Sequence, residues 1–469
     1  MGYAFKIGFF RWLLVVCLTG GLAATALALP PGFTVQTAVA GAAFPSAIAF
    51  TPGGSRLFYT ERFTGDIRIY DLAAQALLPT PFATVEIFST GVDERGLLGI
   101  AIDPEFATNH FVYVFHHPAS NFGRITRFTD VDNAGVNPTI IADQIPAASI
   151  HNGGYLGFGP DGKLYLTVGE NGQSSNAQDL TVVPGKLHRF NRDGTIPSDN
   201  PLPGSSIWSY GLRNSFGFSF HPVTGSLFLS EPGPTSNDEM NRIVKGGNYG
   251  WPTVLGCSGD GGFVDPLLAF TPVVTPNGSA VFSSNRYPPE FLHNLFFGEW
   301  NTGRIRRSVL AGNPDTKSGA PTAFLEPGLV SAVLDLKVGP DGNLWFSTPD
   351  SIGRIVYTIS LALPALASAG TPAIGGKVIF SLLGNPGDTG FLVLRITGTS
   401  ARKVISLGVI TALGVASTVV PIPADPGLAG QTIEVRGISV NGSGEKSLAG
   451  PLQLVILGSD PAPQCVATS

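Results

Sequence analysis

This 469-residue chain carries little charge, with Lys, Arg, Asp and Glu together making up 13% of it. The 28 basic residues are scattered and fewer than the 33 acidic ones, for a formal charge of −5. Phosphate recognition needs clustered Lys and Arg, which argues against a nucleic-acid partner. Cysteine is scarce too, with three in the whole chain. One of them, Cys17, lies in an apolar run at 12–18 that follows Lys6 and Arg11. Ala26-Leu27-Ala28 supplies small residues after the run, and Pro30 and Pro31 end the apolar stretch early. These are the parts of a cleaved export signal, residues 1–28, rather than of an anchor helix. The expectation is a secreted or periplasmic protein without a stable membrane span once the signal is removed. Cleavage leaves Cys257 and Cys465, which can pair in an oxidising compartment, although their separation says nothing about geometry.

What is abundant is turn-forming residues, with 60 glycines and 38 prolines beside 43% hydrophobic residues. Few charges and many turns indicate an all-β protein of many short strands. The length indicates two or three units.

The turns are periodic. An apolar strand, a Pro-containing turn, a second apolar strand and a third strand starting near Gly-Arg-Ile recur six times. The first copy reads Ala47-Ile48-Ala49-Phe50-Thr51-Pro52, Leu57-Phe58-Tyr59, then Gly65-Asp66-Ile67. The last reads Leu336-Lys337-Val338-Gly339-Pro340, Leu344-Trp345-Phe346, then Gly353-Arg354-Ile355. The turn prolines at 52, 104, 160, 222, 288 and 340 are spaced as four-stranded blades would be. One blade cannot cover both its faces, whereas a closed ring packs each against two neighbours. The sequence therefore predicts a six-bladed β-propeller over 33–358, with a central funnel where loops converge. After about residue 360, short strands such as 377–382, 390–394, 418–420 and 432–438 predict a β-sandwich domain over 363–469. No constellation of reactive groups occurs in it.

Polar residues gather in a few loops of the repeat region. His151-Asn152-Gly153-Gly154 opens the third repeat and Gly211-Leu212-Arg213-Asn214 the fourth. Residues 231–239 and the segment Asn248-Tyr249-Gly250-Trp251-Pro252 follow in the fourth. Singly, each residue has an ordinary structural role. Together with Glu94-Arg95-Gly96-Leu97-Leu98-Gly99-Ile100 and in this order, they resemble the glucose/sorbosone dehydrogenase family, soluble sugar dehydrogenases that use pyrroloquinoline quinone (PQQ). The resemblance covers about residues 33–358.

That resemblance implies an oxidoreductase acting on a small-molecule sugar, with an external electron acceptor as its second partner. It implies His151 as the base for the sugar hydroxyl and Arg213 as the contact to the quinone oxygen. Glu94 and Asn214 would face the cofactor, and Arg304, Arg306 and Lys337 are the basic candidates for its three carboxylates. Carbonyls of Gly233 and Pro234 match one Ca²⁺ site, and Glu239 and Tyr249, with Asp238 nearby, match a second. This sequence departs from the family pattern at four places. Glu94 replaces a glutamine, and its charge repels a tricarboxylate unless it is protonated or paired, for instance with Arg95. Ile150 replaces an aspartate that could orient the histidine, and Phe216 and Pro232 replace polar residues. A second reading follows from these changes: a non-catalytic, calcium-stabilised propeller that binds glycan or protein. Calcium-dependent ester hydrolysis, as in propeller lactonases, is a third and less favoured reading.

Overall fold

The computed structural model describes residues 29–259, 261–312, 315–399, 401–459 and 465–468. The expected export signal lies outside the described residues. Six antiparallel sheets follow one another along the chain and form the ring. Their innermost strands are Pro45–Phe50, Leu97–Ile102, Leu156–Phe158, Gly217–Phe220, Pro276–Val281 and Asp335–Val338. Each hydrogen-bonds to a second strand that the sequence marks as an apolar triplet, such as Phe111–His116 in blade 2. A second strand is covered on both faces by neighbouring blades, so its pattern is continuous rather than alternating. Val112, Tyr113 and Val114 are accordingly all fully buried.

The ring is shut by a strand that the repeat pattern does not contain. Phe33–Ala40 pairs antiparallel with Ser351–Tyr357 and becomes the outer strand of blade 6. Phe33 plugs the seam, with its ring 4.8 to 5.2 Å from those of Tyr287, Phe291, Phe324 and Tyr357. The fifth blade, loosest in sequence, has its inner strand at Pro276–Val281, which starts before the apolar triplet at 280–282 and takes in its first two residues.

Beyond the ring, a three-stranded and a four-stranded sheet pack face to face as the expected β-sandwich. Val378, Phe380, Leu392 and Val435 fill its core. It contains three strands that sequence reasoning passes over, Ala365–Ala369, Arg402–Val409 and Lys446–Val455. Arg402–Val409 is an edge strand and mostly exposed, so no buried face imposes an alternating pattern on it. The sandwich docks on blade 5 beyond the C-terminal end of that blade's inner strand. There Asn285 donates to the Gly384 carbonyl over 2.9 Å, and His293 meets Ser381 Oγ over 2.7 Å.

The chain end then returns to blade 4. Val466–Thr468 adds to Leu268–Phe270 as a parallel edge strand, and Cys465 is disulfide-bonded to Cys257. The bond spans 208 residues of sequence. Cross-linking so long a loop restricts the unfolded chain strongly, by about 2–4 kcal/mol in typical cases. Cys257→Ser is therefore expected to lower the propeller's denaturation midpoint, read by urea melts, and added reductant should lower the parent protein's midpoint equally.

Candidate active site

The residues lining the central cavity lie at the N-terminal ends of the inner strands or, like Arg62 and Trp300, just past the ends of the antiparallel second strands, so they meet at one mouth of the ring. The cavity measures about 260 Å³ and is lined by Phe44, Arg62, Glu94, Tyr155, Phe216, Trp300 and neighbours. His151 sits at its edge, two residues before Gly153 of the lining. The histidine has φ of 57°, a left-handed conformation that costs energy in a non-glycine residue. Its main-chain bonds hold it there. The His151 N–H donates to Glu94 Oε2 over 2.7 Å, and its carbonyl accepts from the Asn171 N–H over 3.0 Å. That carbonyl passes so close to Gly169 that a Cβ there would lie 2.2 Å from it, which explains glycine at 169.

The ring nitrogens of His151 are both engaged. Nδ1 contacts Glu170 Oε1, and Nε2 meets Arg213 Nη2 over 3.0 Å. A guanidinium can only donate, so Nε2 is the unprotonated nitrogen and Nδ1–H points at Glu170. Glu170 thus supplies the orienting carboxylate that Ile150 does not. It stands directly after the strand Leu164–Val168, between Gly169 and Asn171, and an acid at the mouth end of a buried strand was the signal available in the sequence. Arg213 also donates to the Pro232 carbonyl over 3.0 Å. Burial pulls its pKa down, while Glu170, Glu231, Glu94 and Asp238 push it back up.

Against Arg213 lies a small, partly open cavity of about 10 Å³, roughly the room for one ion-sized sphere. Glu231, Gly233, Asn237, Glu239 and Tyr249 are among its walls. Glu231 and Glu239 are buried, and Asn241 donates to both, over 3.2 and 3.1 Å. Burial, with the charge of Glu239 second, holds the Glu231 pKa well above the usual carboxylate range. Burial likewise pushes Glu239 up to about 7. The Asn241 Oδ1 atom is buried without a partner. Among the described residues no three His, Cys, Asp or Glu side chains converge as a ready metal site. Two carboxylate residues, with Asn237 beside them, around an ion-sized void nonetheless fit a hard cation such as Ca²⁺.

The remaining predicted residues divide. Asn214 is drawn into the site, donating to Glu94 Oε2 over 3.1 Å and accepting from the Gly153 N–H. Asp238 turns away from the ion-sized void. Its two oxygens accept from the N–H groups of Gly233, Val274 and Thr275, so it ties the loop to blade 5. Pro234 is exposed and does not line the void. Tyr249 lines it with its ring, while its hydroxyl is spent on the Arg242 carbonyl over 2.8 Å.

The three basic candidates lie elsewhere. Arg304 reaches Glu326 over 3.5 Å and Arg306 pairs with buried Glu299, and neither lines the cavity. Lys337 lies beyond the cavity floor, against the Tyr155 hydroxyl and 3.5 Å from Asp335. Arg95 pairs with Asp93 over 2.7 Å, not with Glu94.

The family model described as Glucose / Sorbosone dehydrogenase matches residues 42–357. An aldose sugar dehydrogenase of Escherichia coli K12 is 29% identical over 368 residues, which is 73% of this chain and 96% of that protein. Quinoprotein glucose dehydrogenase B of Acinetobacter calcoaceticus is 34% identical over 252 residues, 47% of this chain and 52% of that protein. The solved PQQ-bound aldose sugar dehydrogenase of Streptomyces coelicolor superposes with a TM-score of 0.61 at 30% identity, covering 70% of this chain and 99% of its own.

The cavity floor yields a test of its own. Asp335 is fully buried, bonded to the Tyr155 hydroxyl over 2.9 Å and to the Ile48 N–H over 2.9 Å. Burial pushes its pKa up to about 8. The folded state therefore holds a proton that the unfolded state releases, and the Asp335 contribution to stability falls as pH rises from about 4 to about 8. Lys337, 3.5 Å away and pulled down to about 7 by burial, acts in the opposite sense above about 7. Asp335→Asn removes that loss, so its stability advantage over the parent protein should widen across this range in urea melts at stepped pH.

Proposed function

The chain belongs to the glucose/sorbosone dehydrogenase family, and on that premise we propose that it oxidises a sugar hydroxyl at the propeller mouth, with PQQ as electron acceptor. The observation that carries this reading is His151 held between Glu170 at Nδ1 and Arg213 at Nε2, beside the cavity. The cavity is large enough for a flat tricyclic ligand, and Trp300 and Phe44 flank it with aromatic surface. Arg213, and Asn214 once it releases Glu94, are the donors that a quinone oxygen would meet there. When bound, PQQ supplies the acceptor for the hydride that leaves the sugar carbon.

The chain's own residues handle the proton and the charge. A sugar hydroxyl entering the mouth donates to His151 Nε2 in place of the Arg213 contact. As the proton transfers, the imidazolium is stabilised by Glu170, which also keeps the ring from rotating. Arg213, anchored at the Pro232 carbonyl, faces the negative charge that develops on the acceptor side. Glu231 and Glu239, with Gly233 and Asn237 beside them, would hold Ca²⁺ in the small cavity. The ion's charge would neutralise two buried carboxylates and stiffen the loop that anchors Arg213. The disulfide and the leading residues support an exported location.

His151→Gln is expected to abolish dye-linked aldose oxidation by calcium-loaded, PQQ-supplied protein while leaving its circular dichroism unchanged. Turnover at the parent rate would remove His151 from the reaction. Glu239→Gln is expected to weaken calcium binding about tenfold or more in calorimetric titration. An unchanged affinity would place the ion elsewhere.

A further inference from the structure

The central cavity is poorly matched in charge to a tricarboxylate. Of the side chains lining it, two are charged, Arg62 and Glu94. The guanidinium of Arg62 is already committed. Its Nε donates to the Arg95 carbonyl over 3.1 Å and its Nη2 to the Asp93 carbonyl, and it packs 5.1 and 4.8 Å from the rings of Phe44 and Phe63. Burial draws the Arg62 pKa down, and Glu94 is the largest influence restoring it. The two charges therefore answer one another before any ligand arrives. Leu98, Phe216, Trp300 and Leu334 make much of the remaining wall apolar. Arg304 and Arg306 are bound to Glu326 and Glu299 outside it, and Lys337 is held against the hydroxyl of the lining residue Tyr155, 3.5 Å from Asp335.

The donors that could receive an anionic oxygen are occupied as well. The N–H groups of His151 and Asn152 and the Asn214 amide all point at one atom, Glu94 Oε2, at 2.7, 3.4 and 3.1 Å. Three donors converging on one oxygen, two of them backbone, make a small anion nest, and the protein fills it with its own carboxylate. Next to it, Arg213 is surrounded by four of the chain's carboxylates. A ligand carrying three more negative charges meets a site with little positive charge to spare.

We propose that Glu94 is the affinity determinant of this cavity, an internal carboxylate that occupies the anion nest and makes the chain bind its quinone cofactor weakly and exchangeably. This rests on the PQQ reading above. Replacing Glu94 with Gln keeps the shape and an acceptor for the three donors but removes the repulsion. The Asn214 amide and the two backbone N–H groups are then answered by a neutral oxygen that an incoming carboxylate can displace at less cost.

The test is calorimetric titration of PQQ into the full-length, calcium-loaded protein, comparing the parent with Glu94→Gln and Glu94→Ala. Unfolding midpoints and near-UV circular dichroism establish that each variant is folded. Both variants should bind PQQ at least about tenfold more tightly than the parent, with the difference shrinking as ionic strength rises. Tight binding by the parent with equal or weaker binding by both variants would overturn the role of Glu94 and leave the PQQ reading standing. Absence of binding by all three at millimolar PQQ would overturn both.

Discussion

The closure of the ring is the constraint on which the rest of the molecule depends. Phe33–Ala40 comes from the start of the described chain and completes a blade whose other strands come from residues 335–357. Its register runs from Phe33 opposite Tyr357 to Ala40 opposite Ser351, and the Phe33 ring locks it into an aromatic cluster. An open stack of blades would leave two apolar faces in water and would not bring distant loops together. Once shut, it gathers the N-terminal ends of the inner strands around one axis. Glu94 from blade 2, His151 and Glu170 from blade 3 and Arg213 from blade 4 become a single bonded set.

Within that set the governing force is the cost of burying carboxylates. Glu170, Glu231 and Glu239 are all almost inaccessible, and each needs a donor or a cation to remain there. Arg213 answers Glu170 and Glu231 at once, which is why one side chain couples the histidine to the ion-sized void. The strand Asp238–Ile243 shows how narrowly roles are assigned. Neighbouring side chains on a strand face opposite ways, so Glu239 walls the void while Asp238 ties down the backbone of the next blade. The disulfide acts on the same loop, since the Gly256 N–H, one residue before Cys257, donates to Glu239 Oε1 over 2.8 Å.

The propeller was legible in the sequence because each blade repeats one burial problem, and the answer, an apolar strand, a turn and another apolar strand, recurs. The closing strand Phe33–Ala40 was not, because it belongs to no repeat and has only two buried positions, Phe33 and Val39. His151 and Arg213 stood out as polar residues in glycine-bearing loops at repeat starts. Glu170 did not, and Glu231, though it opens the 231–239 segment, drew no role of its own, because an acid at the end of an apolar strand looks like an ordinary strand terminus. Their function depends on partners 19 and 18 residues away that only the fold brings near. Arg304, Arg306 and Lys337 misled for the converse reason. Sequence shows a cation but not the buried acid already beside it, here Glu299 for Arg306 and Asp335 for Lys337.

The central claim is that the His151–Glu170–Arg213 set removes a proton from a sugar hydroxyl while hydride leaves the carbon that bears it. Its most direct test is a single turnover without oxygen, in which calcium- and PQQ-loaded protein is mixed with an aldose and the quinone absorbance is followed in stopped flow. The account predicts bleaching that slows when the sugar carries deuterium at the reacting carbon. Quinone that is bound but stays unbleached across a panel of aldoses would contradict it.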